Sequence, residues 1–281
     1  MRNLPVPNID ALTYFDKISG EKRGIVSKRL VKLRTRVVGA YAAYLAKSKA
    51  LQKIVPENIT GVRAAALVHA YEHPTKTMKV MRGKLLEPDL DDFDECPYCG
   101  IGEPRTLDHY LPKETYPEFS ILPVNLIPIC NVCNTSYKGK KFLSAAGRRM
   151  FMHSYYDAFP VFDFLSVKVD VNAKIELKFS SCADPANAAF SQLFARHFVE
   201  LGLGERFIKK SAAEISRKRS SLRRFYAGGN FKKVSRELQR EADDLRSTLS
   251  GNHWKVALYD GLAKSKDFCD GGFSKLVEKS V

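Results

Sequence analysis

The chain has 281 residues, 44% of them hydrophobic and 27% charged, the proportions of a soluble globular protein long enough to bury a core in one or two domains. No apolar run approaches the roughly 20 residues of a membrane span, and the opening MRNLPVPNID lacks the basic-then-apolar pattern of an export signal, which points to the cytoplasm. A net charge of +15 and a pI near 9.5 suit a polyanionic partner, although a basic surface serves solubility equally well.

In chain order, Ile25, Val26, Leu30, Leu33, Val37, Tyr41 and Tyr44 recur at helical spacing. Lys28, Lys32 and Arg36 follow every four residues on another stripe, so the spacing predicts an amphipathic helix with a basic outer face. A solvated face is the commoner meaning of such a stripe and phosphate contact the rarer one. Helical patterning resumes from about Gly61 to Leu86, with a break near Pro74. Glu87 to Glu95 is strongly acidic and reads as a linker, which leaves the positive charge concentrated before Lys53 and between Arg206 and Arg240.

From Cys96 to about Ala146 the composition turns to Cys, Pro, Asn and Gly with short apolar pieces. Such a segment builds no large core and needs a staple. Asp163 to Ser180 then alternates apolar and polar residues about Asn172 and Ala173, the pattern of a β-hairpin. The remainder is helical. Phe190, Leu193, Phe194, Phe198 and Leu201 form one apolar face that ends at Gly202; Phe231, Val234, Leu238, Leu245 and Leu249 form another. Between them lie Lys209, Lys210, Arg217, Lys218, Arg219, Arg223 and Arg224. His197 reads as a core histidine, His153 as a packing or supporting group, and Trp254 as packing for the C-terminal helix. The expected class is α+β and mostly helical: a helical region over 1–94, a compact stapled unit over 95–146, and a hairpin plus helical region over 147–281.

The staple is legible in the cysteines. Cys96-Pro-Tyr-Cys99 and Cys130-Asn-Val-Cys133 are two tight knuckles separated by a long loop. Each offers two soft ligands from one turn, and together they fill the tetrahedron of a structural Zn²⁺ with no open position. Cys182 and Cys269 stand alone and read as small hydrophobes. Within the loop, Arg105 to Lys113 reads as a short strand broken by Pro112 and carrying Asp108 and His109. Asn125-Leu126 follows, then Asn134 directly after the second knuckle, and Lys138, Lys140 and Lys141 in an expected helix.

Cys96 and Cys99, Asp108-His109 with Pro112, Asn125-Leu126, Cys130 and Cys133, Asn134 and Lys138 together resemble, in combination and order, the HNH nuclease family and its ββα-metal motif. The resemblance is specific between Cys96 and Lys138 and weak outside it. It implies that Asp108 is a ligand of a catalytic divalent metal and that His109 is the general base deprotonating water, a role suited to imidazole. It further implies that Asn125 fixes the orientation of the His109 ring and that Asn134 offers a second metal ligand. The pattern is H-N-N rather than H-N-H, and a neutral oxygen donor there favours Mg²⁺ or Mn²⁺. Lys138, Lys140 and Lys141, with Arg105 and Lys113, are candidates to hold nucleic-acid phosphates; a basic helix end complementing its own dipole is the other reading of the lysines.

The implied function is a metal-dependent endonuclease acting on nucleic acid, DNA before RNA. The alternative is a zinc knuckle on a helical body that binds nucleic acid without cutting. More loosely, the Asp-His and Asn-Leu segment in its helical surroundings resembles the HNH component of Septu-type and retron-associated anti-phage defence systems, which implies an ATPase partner. A homodimer would give paired cuts in a duplex.

Overall fold

Each helix begins where the sequence supplies a cap or a break. Asp10 accepts a hydrogen bond from Thr13 N at 2.6 Å and opens α1 (Ala11–Glu21). Gly24, at φ +59°, then turns the chain into α2 (Gly24–Ala46). Helix α3 (Gly61–Glu72) stops ahead of Pro74, and Thr75 caps α4 (Lys76–Leu86) by accepting from Met78 N. The computed structural model describes residues 1–88, 90, 93–249 and 251–278, so Asp89, Asp91 and Asp92 of the acidic linker lie outside the described residues.

The chain divides into two compact units, one of residues 3–159 and one of residues 1–2 with 160–281. In the first, α2 buries Leu30, Leu33, Val37, Ala40, Tyr41 and Tyr44, each large apolar side chain contributing roughly 1.5–3 kcal/mol when fully buried. Ile25, expected on the same face, is exposed because it lies in the first turn, ahead of the packed stretch. Lys28 and Lys32 are exposed, as a solvated stripe requires. Beyond the linker, β1 (Thr106–His109) and β2 (Leu126–Ile129) pair antiparallel, with Asp108 opposite Ile127 and His109 opposite Leu126. After β2 comes a π-helical segment, Val132–Lys138, closed by Gly139 N donating to Asn134 O at 2.8 Å. The helix expected to carry Lys140 and Lys141 therefore ends before them, at Gly139 with φ +51°.

In the second unit β3 (Leu165–Val171) and β4 (Ile175–Ser181) form the expected hairpin, with Val171 opposite Ile175. Helices α5 (Ala188–Glu200) and α6 (Leu203–Phe225) meet at Gly202, which adopts φ +57° at the turn. Asn230 caps α7 (Phe231–Thr248), and α8 (Trp254–Lys264) and the short α9 (Lys266–Cys269) complete the unit. Helix α8 lies so close to β3 that a Cβ on Gly261 would stand 2.4 Å from Val167 Cγ1 and 2.8 Å from the Val167 carbonyl oxygen. His197 is buried in α5, and Trp254 stacks on Phe207 at a centroid distance of 6.2 Å. The class is thus α+β and mostly helical, with two small antiparallel hairpins. Among the described residues no helix is long and apolar enough to cross a membrane.

Candidate metal centre

The two knuckles fold onto one another. Cys99 N and Gly100 N both donate to Cys96 O, a turn that Gly100 closes at φ +59°. Cys133 N donates to Cys130 Sγ at 3.4 Å. The sulfurs of Cys96, Cys99, Cys130 and Cys133 are all buried and lie within 4.8 Å of one another, with Cys99 Sγ 3.8 Å from Cys130 Sγ. Sulfurs around a tetrahedral zinc with bonds of about 2.3 Å stand about 3.8 Å apart, so the cluster fits that ion in donor type and spacing. Burial pushes the Cys96 thiol well above its usual range, and hydrogen bonds from the neighbouring cysteines add to it. Four close, buried thiols gain by exchanging their protons for one dication. The donor set is closed, so the ion would hold the ends of the loop and offer no position to a substrate. Cys182 and Cys269 take no part.

Asp108 is buried on β1, and its carboxylate meets a side chain of this same chain. Lys138 Nζ lies 3.0 Å from Asp108 Oδ1 and donates to His109 O, also at 3.0 Å. The Lys138 side chain, a candidate to hold a phosphate, is fully buried and held by a carboxylate of its own chain. Burial pushes the Asp108 carboxyl up, with Lys138 opposing. Asp108 Oδ2 is buried with no hydrogen-bond partner. Four residues before Lys138, Asn134 Nδ2 donates to Thr106 Oγ1 at 3.0 Å. Thr106 and Asp108 share a face of β1 by strand alternation, so Asn134 and Lys138 reach the same face. One orphaned carboxylate oxygen suits a hard cation; the ammonium already on Oδ1 does not. The fit for a divalent metal is therefore partial.

His109 ends β1 in different surroundings. Its Nε2 lies 2.9 Å from Ser120 O, and its ring stands edge-on to Tyr71 at a centroid distance of 4.3 Å. A carbonyl only accepts, so Nε2 carries the proton and Nδ1 keeps its lone pair. Burial pulls the imidazole down to about 4, which leaves it neutral at neutral pH. Asn125, fully buried, does not touch this ring. It donates to Leu111 O (3.1 Å) and Phe119 O (3.2 Å), and accepts from Leu111 N (2.8 Å) and the Tyr44 hydroxyl (3.2 Å). It thereby fixes both ends of the loop that leads to Ser120.

Sequence reading placed Tyr44 in the core and missed its hydroxyl, although a buried tyrosine oxygen requires partners. His153 Nδ1 accepts from Tyr155 N, so its Nε2 carries the proton toward the Tyr44 oxygen 3.0 Å away. The line His153–Tyr44–Asn125 supports the loop from behind and gives His153 the supporting role expected of it. Burial holds His153 well below its ordinary value. Its folded form binds the proton less readily than its unfolded form, so stability is full above about pH 6.5 and falls as the pH drops below it. The loss from this group between pH 7 and pH 5 is at most about 2 kcal/mol. Urea unfolding of the wild type and His153→Gln across that range checks it: the variant should show the shallower pH dependence.

Of the remaining basic candidates, Arg105, Lys140 and Lys141 are exposed and Lys113 is half-buried. Arg105 pairs with Glu103 at 2.6 Å, Lys113 with Glu114 at 3.1 Å and Glu72 at 3.4 Å, and Lys140 with Glu114 at 3.5 Å. Exposed pairs of this kind contribute about 0–1 kcal/mol.

No family model matches the chain, and no solved structure matches it. Among curated proteins it is similar to protein ea31 of Escherichia phage lambda, at 26% identity over 306 aligned residues that cover 96% of this chain and the whole of the relative. The likeness runs through both units.

Proposed function

We propose that the chain is a zinc-stapled, metal-dependent nuclease of the HNH type that hydrolyses phosphodiester bonds of nucleic acid, DNA before RNA. The observation that carries this reading is the state of His109: its Nε2–H is committed to Ser120 O, and Nδ1 retains a lone pair on the neutral ring of a half-buried residue. In this reading Nδ1 takes the proton of the attacking water. A base held near 4 is weak, and the negative charge of a phosphate bound beside it raises its affinity for the proton. Asp108 Oδ2 and the Asn134 side-chain oxygen are the groups we assign to hold Mg²⁺ or Mn²⁺, which would supply charge neutralisation at the phosphate and the leaving oxygen. Asn125 keeps the loop behind His109 in place, and Arg105, Lys113, Lys140 and Lys141 are assigned to flanking phosphates. By the looser resemblance we place the protein in anti-phage defence with an ATPase partner, which co-purification of the two would support.

A second reading has its own support. A zinc-stapled module that binds nucleic acid without cutting needs only the four-cysteine cluster and surface cations, and the observed features serve it more completely. Asp108 carries an internal cation in Lys138, where a metal-dependent site calls for a free carboxylate.

The deciding experiment incubates plasmid DNA with the protein and with His109→Ala, in Mg²⁺, Mn²⁺ or EDTA. The nuclease reading expects metal-dependent nicking that slows at least about 100-fold in the variant. DNA binding with no cutting by either protein, with or without the co-purifying partner, would establish the second reading.

A further inference from the structure

Part of the basic run on α6 is engaged inside its own unit, while Lys209, Lys210, Arg223 and Arg224 are exposed. Arg217 pairs with Glu214 at 3.1 Å, Lys218 with Glu241 at 2.8 Å, and Arg219 donates to the Phe273 and Lys275 carbonyls. On α7 the C-terminal cations are engaged as well: Arg240 pairs with Glu237 at 2.8 Å, and Arg246 with Asp243 and Asp260. The cations at the other end of α7 differ. Lys232 and Arg236 are exposed, as are Lys264 and Lys266 at the junction of α8 and α9, and among the described residues none of the four has a carboxylate within 4.0 Å. All four line one open groove of about 520 Å³, floored by Phe231 and Cys269.

Two physical features make this gathering of charge costly in isolation. Lys232 and Lys233 stand in the first turn of α7, where no acidic residue balances them and the helix macrodipole is itself positive. Lys266 meets the face of Phe231, 5.5 Å from the ring centroid, a contact that leaves its charge unneutralised. Lys232 and Arg236 lie one turn apart, about 6 Å along the axis, with Lys264 and Lys266 across the groove. Four unneutralised cations lining one trough suit a chain of phosphates better than one small anion.

We propose that this groove is a second nucleic-acid site of the protein, one that grips backbone phosphates without reading bases. It lies wholly within the unit that lacks the cysteine cluster, and it stands whether or not the other unit cuts. Its role is to add affinity without sequence preference, as phosphate contacts do.

The test measures binding of the full-length protein to a labelled 20-base-pair duplex and a labelled single strand by fluorescence anisotropy, in Mg²⁺-free buffer across a salt series. Lys232→Gln/Arg236→Gln/Lys264→Gln/Lys266→Gln is compared with the wild type and with Arg240→Gln, a control in which the cation already has a carboxylate partner. All four changes are at exposed positions; circular dichroism and zinc content confirm that the fold is retained. The expected result is affinity weakened at least about 10-fold at 0.1 M salt, with the slope of log K against log salt reduced by about 0.9 for each duplex phosphate released, and Arg240→Gln unchanged. Unchanged affinity and slope in the fourfold variant would overturn the proposal. Tighter binding to phosphatidylserine vesicles than to DNA, lost in the same variant, would overturn the assignment to nucleic acid. Absence of plasmid cleavage bears on the other unit alone and leaves this measurement standing.

Discussion

Cys130→Ser is expected to abolish zinc binding and to lower the melting temperature by about 10 °C or more, whereas Cys182→Ser leaves both unchanged. The strands that the cluster holds are only four residues each, and a two-stranded hairpin of that size is marginal by itself in water. Closed zinc sites contribute about 10–16 kcal/mol in small finger domains. The hairpin here has further support, since Tyr71 donates to Leu107 O at 3.2 Å and Asn125 pins the loop between the strands. The loss should therefore be local unfolding of the segment from Cys96 to Asn134, with the helices around it persisting. Elemental analysis of the purified protein, with thermal melts followed separately by near- and far-ultraviolet circular dichroism, checks this. A wild-type protein free of zinc, with a melt matched by Cys130→Ser, would mean that the four cysteines are simply reduced thiols in a packed core.

What the sequence makes legible follows from how local each feature is. The cysteine knuckles are set by spacing within a single turn, and their convergence needed only the two strands to pair. The helices follow from apolar periodicity with Asp10, Thr75 and Asn230 as caps, and the β3–β4 hairpin from alternation about Asn172. The fate of Lys138 was not legible. It depends on the segment after Cys133 winding as a π-helix, which shifts the side chains relative to ordinary helical spacing and brings the lysine in over Asp108. A lysine five residues beyond a cysteine knuckle gives no sign of that turn. The contacts of Asn125 were not legible, because its four side-chain hydrogen bonds reach Tyr44, Leu111 and Phe119, brought together only by tertiary packing. The groove on α7 was hidden for a related reason: charge counts along the chain do not distinguish cations with acidic partners from cations without them.

Lys138→Met is expected to destabilise the first unit by about 3–5 kcal/mol, the usual cost of leaving one member of a buried ion pair alone. Asp108 would keep its burial with neither oxygen paired, and the His109 carbonyl would lose its donor as well. Adding Asp108→Asn should recover part of the loss, because a neutral amide is far cheaper to bury than an unpaired carboxylate. The single variant also separates the two functional readings. If Asp108 serves a divalent cation, removing the ammonium that competes for it should make millimolar Mn²⁺ raise the melting temperature of Lys138→Met more than that of the wild type. The added Asp108→Asn should erase that response while the zinc content stays constant. If the unit only binds nucleic acid, Mn²⁺ should stabilise neither protein, and the buried pair is then a structural substitute for a metal: an internal cation holding β1 against the segment that follows the second knuckle.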